Sequence, residues 1–407
     1  MVLGREAGKH DLASLGGYGV GIVTHGTSEP PRRGRARIAG LVILIAIIGL
    51  FVWSLKHMTN SFAITPGVAQ PVGPLISVAG HPHSATRKTI LLTDVYLTQL
   101  TVWQLLWAEI HPGREEVVVP GSDLIQGGVP IAQLYAQSYL QMYDSQNDAK
   151  AAAMRALHLD VTDRHAGATV GAVATNAPAS QVLSVADRIV GARGLAVSSR
   201  CGLIDALDRA VPGRPVALKV EHAHITADGT ITYARPQLVE SPTSAVPPNA
   251  GTTGCAGHES ATVWLGIGLE NAFQWHFPVS VSINTANIGG PSAGLAMTLG
   301  IMDSLSKTSI TGDLKIAATG EIDPNGNVFA VGGLPQKTIA VENAGATVFL
   351  VPPGSNYTDA RSAASGGLKV IKVATLQQAL AAIERLSGAA PSAFSAHEQP
   401  VSESPTS

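Results

Sequence analysis

A serine and a lysine 45 residues apart carry the chemistry that this sequence offers. Ser292 lies in the glycine-rich segment GGPSAG (289–294), at the start of a predicted helix, and Lys337 ends the segment VGGLPQK (331–337) on another. A serine hydroxyl attacks a carbonyl only after a base has removed its proton, and a neutral lysine amine can be that base. The pair therefore predicts acyl transfer through a covalent serine intermediate.

The glycine-rich turn suits a nucleophile in two ways. Glycine lets the backbone approach a substrate closely, and the start of a helix leaves amide N–H groups without partners. We expect the amides of Gly290 and Ser292 to bind the negative oxygen that develops on the attacked carbonyl. Taken alone, the same segment fits a serine that merely caps a helix after a proline turn.

Lys337 must be neutral to act as a base, although the ordinary lysine pKa of about 10.4 keeps the amine charged at pH 7. Its sequence neighbours are largely apolar, and Glu342 is the next acidic residue along the helix. Burial among apolar groups would lower the pKa of the amine. A solvated surface lysine is the ordinary alternative.

The composition sets limits on the class of protein. The 407 residues leave room for two or three domains, and 14% charged residues with a net charge of −2 do not favour nucleic acid as a partner. Two cysteines cannot form a structural zinc site by themselves. The histidine pairs at 81 and 83 and at 222 and 224 lack a third ligand, so we expect no metal and no cofactor.

An apolar run of 18 uncharged residues, 38–55, follows four arginines between positions 32 and 37. This length suits a membrane-spanning helix, and the arginines predict that residues 1–37 are a disordered cytoplasmic tail. A cleaved signal peptide is the closest alternative, but no small-residue cleavage site follows the run. We therefore expect a single-pass anchor in the cell membrane, with everything after it extracytoplasmic. There, Cys201 and Cys255 have the option of forming a disulfide that joins two domains.

Residues 161–222 form a predicted β-rich unit that resembles a bacterial PDZ domain. The resemblance rests on Pro178-Ala179, on Asp187 and Ile189, on a helix that ends before Pro212-Gly213, and on the strand that follows. Ala186 stands where a glycine is usual. The resemblance implies binding of an extended peptide at an exposed sheet edge beside a helix. The alternative is a β-rich linker domain with no ligand.

The alternation of strands and helices between residues 261 and 387 predicts an α/β domain. Residues 223–260 are expected to be a strand and a linker, residues 56–160 an N-terminal part of the same assembly, and residues 388–407 a disordered tail. The predicted fold class is thus an α/β (α+β) catalytic domain with a small β-rich domain and one N-terminal transmembrane helix.

The catalytic segments resemble the Lon proteolytic domain, in which the serine lies in GPSAG and the lysine follows GGL. The match continues through Thr319-Gly320-Glu321 and through the segments NAGA (343–346) and VFLVP (348–352). The resemblance implies Ser292 as nucleophile, Lys337 as general base, and Thr319 as the group that holds the lysine amine. Gly289 departs from the acidic residue found in many Lon proteases, which concerns the geometry near the oxyanion site.

Together these features resemble the bacterial membrane-anchored, PDZ-containing Lon-like serine proteases. The sequence has no GxxxxGK[ST] segment for ATP, so the resemblance implies an ATP-independent endopeptidase that acts on exported or membrane-associated unfolded proteins or tails. A homo-oligomeric ring is a further option. Two alternatives remain open at this point: a non-catalytic adaptor or scaffold at the membrane, and a membrane-tethered esterase or peptidase for small substrates.

Overall fold

The computed structural model describes residues 32–80, 89–111, 113, 115–124, 130–248, 250–258, 261–306 and 308–388. The predicted cytoplasmic tail up to residue 31, the predicted C-terminal tail after residue 388 and the histidine pair at 81 and 83 lie outside these residues. The chain divides into two compact units, one ending at Lys56 and one beginning at His57.

The helices and strands are numbered in chain order. The helices are α1 (Arg32–Lys56), α2 (Val102–Ile110), α3 (Gly121–Leu124), α4 (Ile131–Ala156), α5 (Arg200–Leu207), α6 (Gly294–Leu305), α7 (Leu334–Asn343), α8 (Ser355–Ala363) and α9 (Leu376–Ser387). The strands up to residue 241 are β1 (Met58–Pro71), β2 (Ile76–Val78), β3 (Ile90–Thr101), β4 (Val117–Pro120), β5 (Thr162–Val173), β6 (Arg188–Ala192), β7 (Leu195–Ala196), β8 (Val216–Glu221), β9 (Ala223–Ile225), β10 (Ile231–Tyr233) and β11 (Gln237–Ser241). The later strands are β12 (Ile267–His276), β13 (Val281–Ile283), β14 (Ile316–Ala318), β15 (Glu321–Ile322), β16 (Val328–Phe329), β17 (Val348–Val351) and β18 (Lys369–Lys372).

Helix α1 makes up the described part of the first unit. Within Arg37–Lys56, a window of 18 residues has a mean hydropathy of 2.8, and nearly all side chains of this segment are exposed. By length and composition this helix can cross a membrane. It begins at Arg32, so the last residues of the predicted cytoplasmic tail are helical.

The second unit is built on a six-stranded mixed sheet in the order β18–β17–β14–β3–β1–β4. Strands β18, β17, β14 and β3 are parallel, with Ile316 opposite Ile90, whereas β1 is antiparallel to both β3 and β4. The strands on one side therefore come from residues 58–120 and those on the other from residues 316–372. This sheet is thus assembled from both ends of the unit, and the N-terminal region 56–160 supplies three of its six strands.

Both faces of this sheet are covered by helices. Successive residues of a strand point to opposite faces, and accordingly Ile90 and Ile316 pack in the core that contains α6, whereas Leu91 and Ala317 pack in a second core with α7 and α8. Every residue of α6 is buried. The helix that follows Ser292 is therefore a rigid central element between the sheet and α4.

Residues 162–276 form a separate sheet inserted between α4 and β13, which we call the insert. Its strand order is β11–β8–β6–β5–β12, with β7 beside β6 and a core of its own. Strand β12 pairs antiparallel with the whole of β5, from Thr162 opposite His276 to Val173 opposite Ile267. Helix α5 lies against both strands, and the amide of Arg200 donates to Asn271 Oδ1 at 3.0 Å.

This pairing differs from the expected end of the β-rich unit at residue 222. The backbone of β12 completes the sheet of the insert, which therefore extends to residue 276. Strand β12 occupies the edge of β5 beside α5. Within the described residues, no strand pairs with the other edge of β12.

Candidate active site

The turn that carries Ser292 is held by α4. Gly290 adopts φ = 82°, a conformation that favours glycine, and its amide donates to the Ser138 carbonyl oxygen at 2.8 Å. The Ser145 hydroxyl donates to the Pro291 carbonyl oxygen at 3.1 Å. Ser292 follows in a short 3-10 turn that leads into α6, and its side chain is half-buried. The nucleophile candidate is therefore accessible on a fixed backbone.

Thr319 connects Ser292 to Lys337. It directly follows β14 and is fully buried, and its hydroxyl donates to the Ser292 carbonyl oxygen at 3.1 Å. The Lys337 amine donates to the same hydroxyl oxygen at 3.2 Å. The amide of Gly320 also donates to the Ser292 carbonyl oxygen, at 2.9 Å. Thr319 thus links the lysine amine to the backbone carbonyl oxygen of Ser292, and among the described contacts no hydrogen bond joins the amine to the Ser292 hydroxyl.

Lys337 lies in an environment that favours a neutral amine. It sits on the first turns of α7, packed over the sheet, and is 2% exposed. Burial lowers the pKa of its amine to about 8, partly opposed by the charge of Asp94. At neutral pH a fraction of the amine is therefore uncharged and able to accept a proton.

Asp94, which sequence reasoning missed, faces the lysine from β3. Burial raises the pKa of its carboxyl group, while the Val68 amide and the lysine charge act in the opposite direction. The Val68 amide donates to Asp94 Oδ1 at 2.6 Å, in a bulge of β1. The carboxylate thereby joins β1 to β3 close to Lys337. No local pattern indicates this aspartate as part of the site, because it lies 243 residues before Lys337 in the sequence.

The loop before Lys337 is held by Asn356 of α8. The side chain of Asn356 accepts from the Val331 amide at 2.8 Å and donates to the Val331 carbonyl oxygen at 2.9 Å. Gly333 then starts α7 in a left-handed conformation with φ = 73°, against Val95. These contacts fix where the helix begins and hence the depth at which the lysine enters the core.

The structure changes one expectation about the oxyanion site. The Gly290 amide is engaged by the Ser138 carbonyl oxygen, so it does not point to a substrate as expected. The Ser292 amide lies in the first turn of its helix, where amides lack intrahelical partners, and its role at the oxyanion site stays a prediction. A side chain at position 289 would meet the Ser138 side chain, which would have to move to admit it.

The remaining candidate residues lie away from this site. Cys201 of α5 and Cys255 form a disulfide with a Cα–Cα distance of 5.6 Å. Because β12 belongs to the insert, the disulfide closes a loop within the insert and does not join two domains as expected. His222 Nδ1 lies 3.0 Å from Asp187 Oδ2. Within the described residues, no cluster of three or more histidine, cysteine or acidic side chains is arranged to hold a metal.

Comparison with known families agrees with the geometry of the site. Residues 271–384 match the model of the Lon protease (S16) C-terminal proteolytic domain. The chain is 46% identical over 63 residues to Lon protease of Clostridioides difficile, covering 16% of this chain and 8% of the relative. It is 36% identical over 112 residues to Lon protease of Mycoplasma pneumoniae, covering 25% and 14%. For Lon protease 2 of Bacillus subtilis the values are 37% over 93 residues, covering 23% and 16%.

The chain thus carries a Lon-type proteolytic domain within a mixed α/β fold, as predicted. It spans no more than 16% of the length of these three relatives. Among solved structures, the PDZ domain of the SdrC-like protein from Listeria monocytogenes is 21% identical, with a TM-score of 0.19, covering 26% of this chain and 87% of that one. The corresponding PDZ domain from Listeria innocua is 20% identical, with a TM-score of 0.18, covering 25% and 92%.

Proposed function

We propose that this protein is a membrane-anchored serine endopeptidase that uses Ser292 as nucleophile and Lys337 as general base. The observation that carries the proposal is the buried lysine amine, with its lowered pKa, joined to the serine backbone through Thr319. A structural lysine has no need of such burial, since leaving the amine in water costs nothing. Strongly perturbed amines of this kind occur preferentially at functional sites.

The proposed reaction begins when the neutral Lys337 amine takes the proton of the Ser292 hydroxyl as its oxygen attacks a peptide carbonyl. The Ser292 amide stabilises the resulting oxyanion. The protonated lysine then donates to the leaving amine, and the peptide C–N bond breaks to leave an ester on Ser292. Water, deprotonated by the lysine, hydrolyses that ester and restores the free serine. Thr319 holds the amine in position in both steps.

The substrates follow from what surrounds this site. The sequence contains no ATP-binding segment of the GxxxxGK[ST] type, so we propose that the enzyme acts without ATP on loose segments, tails or unfolded chains. Helix α1 supports anchorage in the cell membrane, with the N-terminus cytoplasmic and the catalytic unit outside. Assembly into a homo-oligomeric ring is part of the same proposal.

For the insert we propose binding of an extended peptide at the free edge of β12. A cleft of about 370 Å³ lies between α5 and the start of this strand. Its apolar lining includes Ile204, Leu207 and Val263. A strand edge beside an apolar cleft is the arrangement by which sheets capture extended peptides. The bound segment would then lie on the strand that leads towards the Ser292 turn.

The test of the catalytic proposal uses the full chain in nanodiscs with an unfolded protein substrate and no ATP. New termini would be identified by mass spectrometry for the parent and for Ser292→Ala and Lys337→Met. Ser282→Ala and Lys369→Met, at exposed positions of other elements, are the matched controls. We expect cleavage by the parent and both controls and none by the two site variants. Equal cleavage by all five proteins would refute the dyad, and no cleavage by any would favour the adaptor.

A further inference from the structure

Helix α2 presents its apolar side chains outward, in the opposite sense to an ordinary surface helix. Leu106, Trp107 and Ile110 form an outward stripe with exposed fractions of 48%, 54% and 70%, and Trp103 begins the stripe at 37%. Val102, Leu105 and Ala108 are half-buried. Trp103, Trp107 and Ala108 border an open cleft beside β1 and β3. Within this fully described helix no residue is buried. Such a concentrated apolar surface marks an interaction site.

The start of α2 is hydrogen-bonded to the first residue of the second unit. The Val102 amide donates to the His57 carbonyl oxygen at 2.9 Å, and His57 directly follows Lys56, the last residue of α1. Thr101 caps α2 through a reciprocal pair of hydrogen bonds with Gln104. Within the second unit, the position of α2 relative to His57 is therefore set by these hydrogen bonds.

We propose that α2 lies on the surface of the bilayer, at the level where the chain leaves the membrane after α1. This inference rests on the proposed anchor. A spanning α1 places its last residues at the membrane interface, so an element hydrogen-bonded to His57 is at the same level. Tryptophan is enriched at that level in membrane proteins, and amphipathic helices bury their apolar face about 5–10 Å into the boundary region.

Two further features of α2 and its neighbours fit a position on the bilayer surface. Met58, the first residue of β1, is 54% exposed next to the same hydrogen bond and adds to the apolar surface. The nine residues of α2 make a helix about 13 Å long, enough to lie on the membrane but too short to cross it. The catalytic unit would then contact the membrane through α2 in addition to its covalent link to α1. This second contact would restrict its orientation relative to the membrane.

The test measures the depth of nitroxide labels on the full chain in phosphatidylcholine nanodiscs. Labels would be attached to Ile110→Cys, to Leu238→Cys as an equally exposed control on the insert (74%), and to Ile45→Cys within α1. Collision with oxygen and with a water-soluble nickel complex would be recorded by electron paramagnetic resonance. We expect the label at Ile110 to collide with nickel at least about threefold less than that at Leu238. Leu106→Cys serves as a second variant if Ile110→Cys fails to fold.

The labels at Ile45 and Ile110 distinguish the docking of α2 from the anchoring by α1. A lipid-shielded label at Ile45 together with a fully aqueous one at Ile110 would overturn the docking of α2 while leaving the anchor intact. A label at Ile45 that is exposed to water would show that α1 does not span the membrane. That result would overturn both the proposed anchor and the docking of α2. Spin–spin broadening between labels at Ile110 would show that a second copy of the chain covers α2, which would also overturn the proposal.

Discussion

The pH dependence of catalysis is the sharpest consequence of the buried lysine. With a pKa of about 8, roughly one Lys337 amine in eleven is neutral at pH 7, and nearly all are neutral above pH 9. If the neutral amine is the base, kcat/KM rises by about tenfold between pH 7 and the plateau, with a midpoint near pH 8. The profile should be recorded between pH 6 and 10 as initial cleavage rates of a quenched fluorescent substrate that is unfolded throughout.

Asp94 provides the second arm of this experiment. Its charge favours the protonated lysine, so Asp94→Asn removes that stabilisation and is expected to move the midpoint below 8. The asparagine side chain retains an oxygen that can accept from the Val68 amide, so the bulge in β1 is kept. Asp313→Asn, at an exposed position, should leave the profile unchanged. A profile that is flat between pH 6 and 9, or an upward shift of the midpoint in Asp94→Asn, would refute the assignment of Lys337 as base.

Three further predictions follow from the same contacts. Lys337→Met should abolish cleavage and yet raise the free energy of unfolding at pH 7 by up to about 3 kcal/mol, since burying the charged form has this cost below the native pKa of about 8. The gain should fade as pH rises from 8 towards 10.5, as denaturation of both proteins in urea would reveal. Gly289→Ala should lower the cleavage rate because the new methyl group meets the Ser138 hydroxyl, and adding Ser138→Gly should restore it. Thr319→Val should reduce kcat by about tenfold to a hundredfold through loss of the lysine contact, whereas Thr338→Val, a buried threonine bonded within α7, should keep kcat near that of the parent.

The elements that carry the candidate site could be predicted from local sequence signals. Proline and glycine mark the start of the Ser292 turn and of α7, and these residues impose backbone conformations that need no distant partner. Lys337 is placed by its position on that helix. The contribution of Thr319, in contrast, depended on the resemblance to the Lon proteolytic domain, since one threonine after a short strand has no distinctive local pattern.

What could not be predicted depends on pairing between distant segments. The local sequence of β1 and β3 does not say which other strands they join. The same ambiguity misassigned β12, because a strand with one half-buried face suits either sheet. Asp94 and Ser138 reach the site only through this long-range assembly, so neither was a candidate from sequence.

The pairing of β3 with β14 also determines when during synthesis the catalytic sheet can form. Ile90 and Ile316 are partners, so the edge of β3 stays open while the chain between them, including the whole insert, is made. At about 5–20 residues per second this interval lasts on the order of ten to fifty seconds. Ser292 is synthesised towards the end of this interval, and Thr319 and Lys337 follow only after it. The hydrogen bonds that join these three residues can therefore form only after α7 has been made, late in the assembly of this sheet.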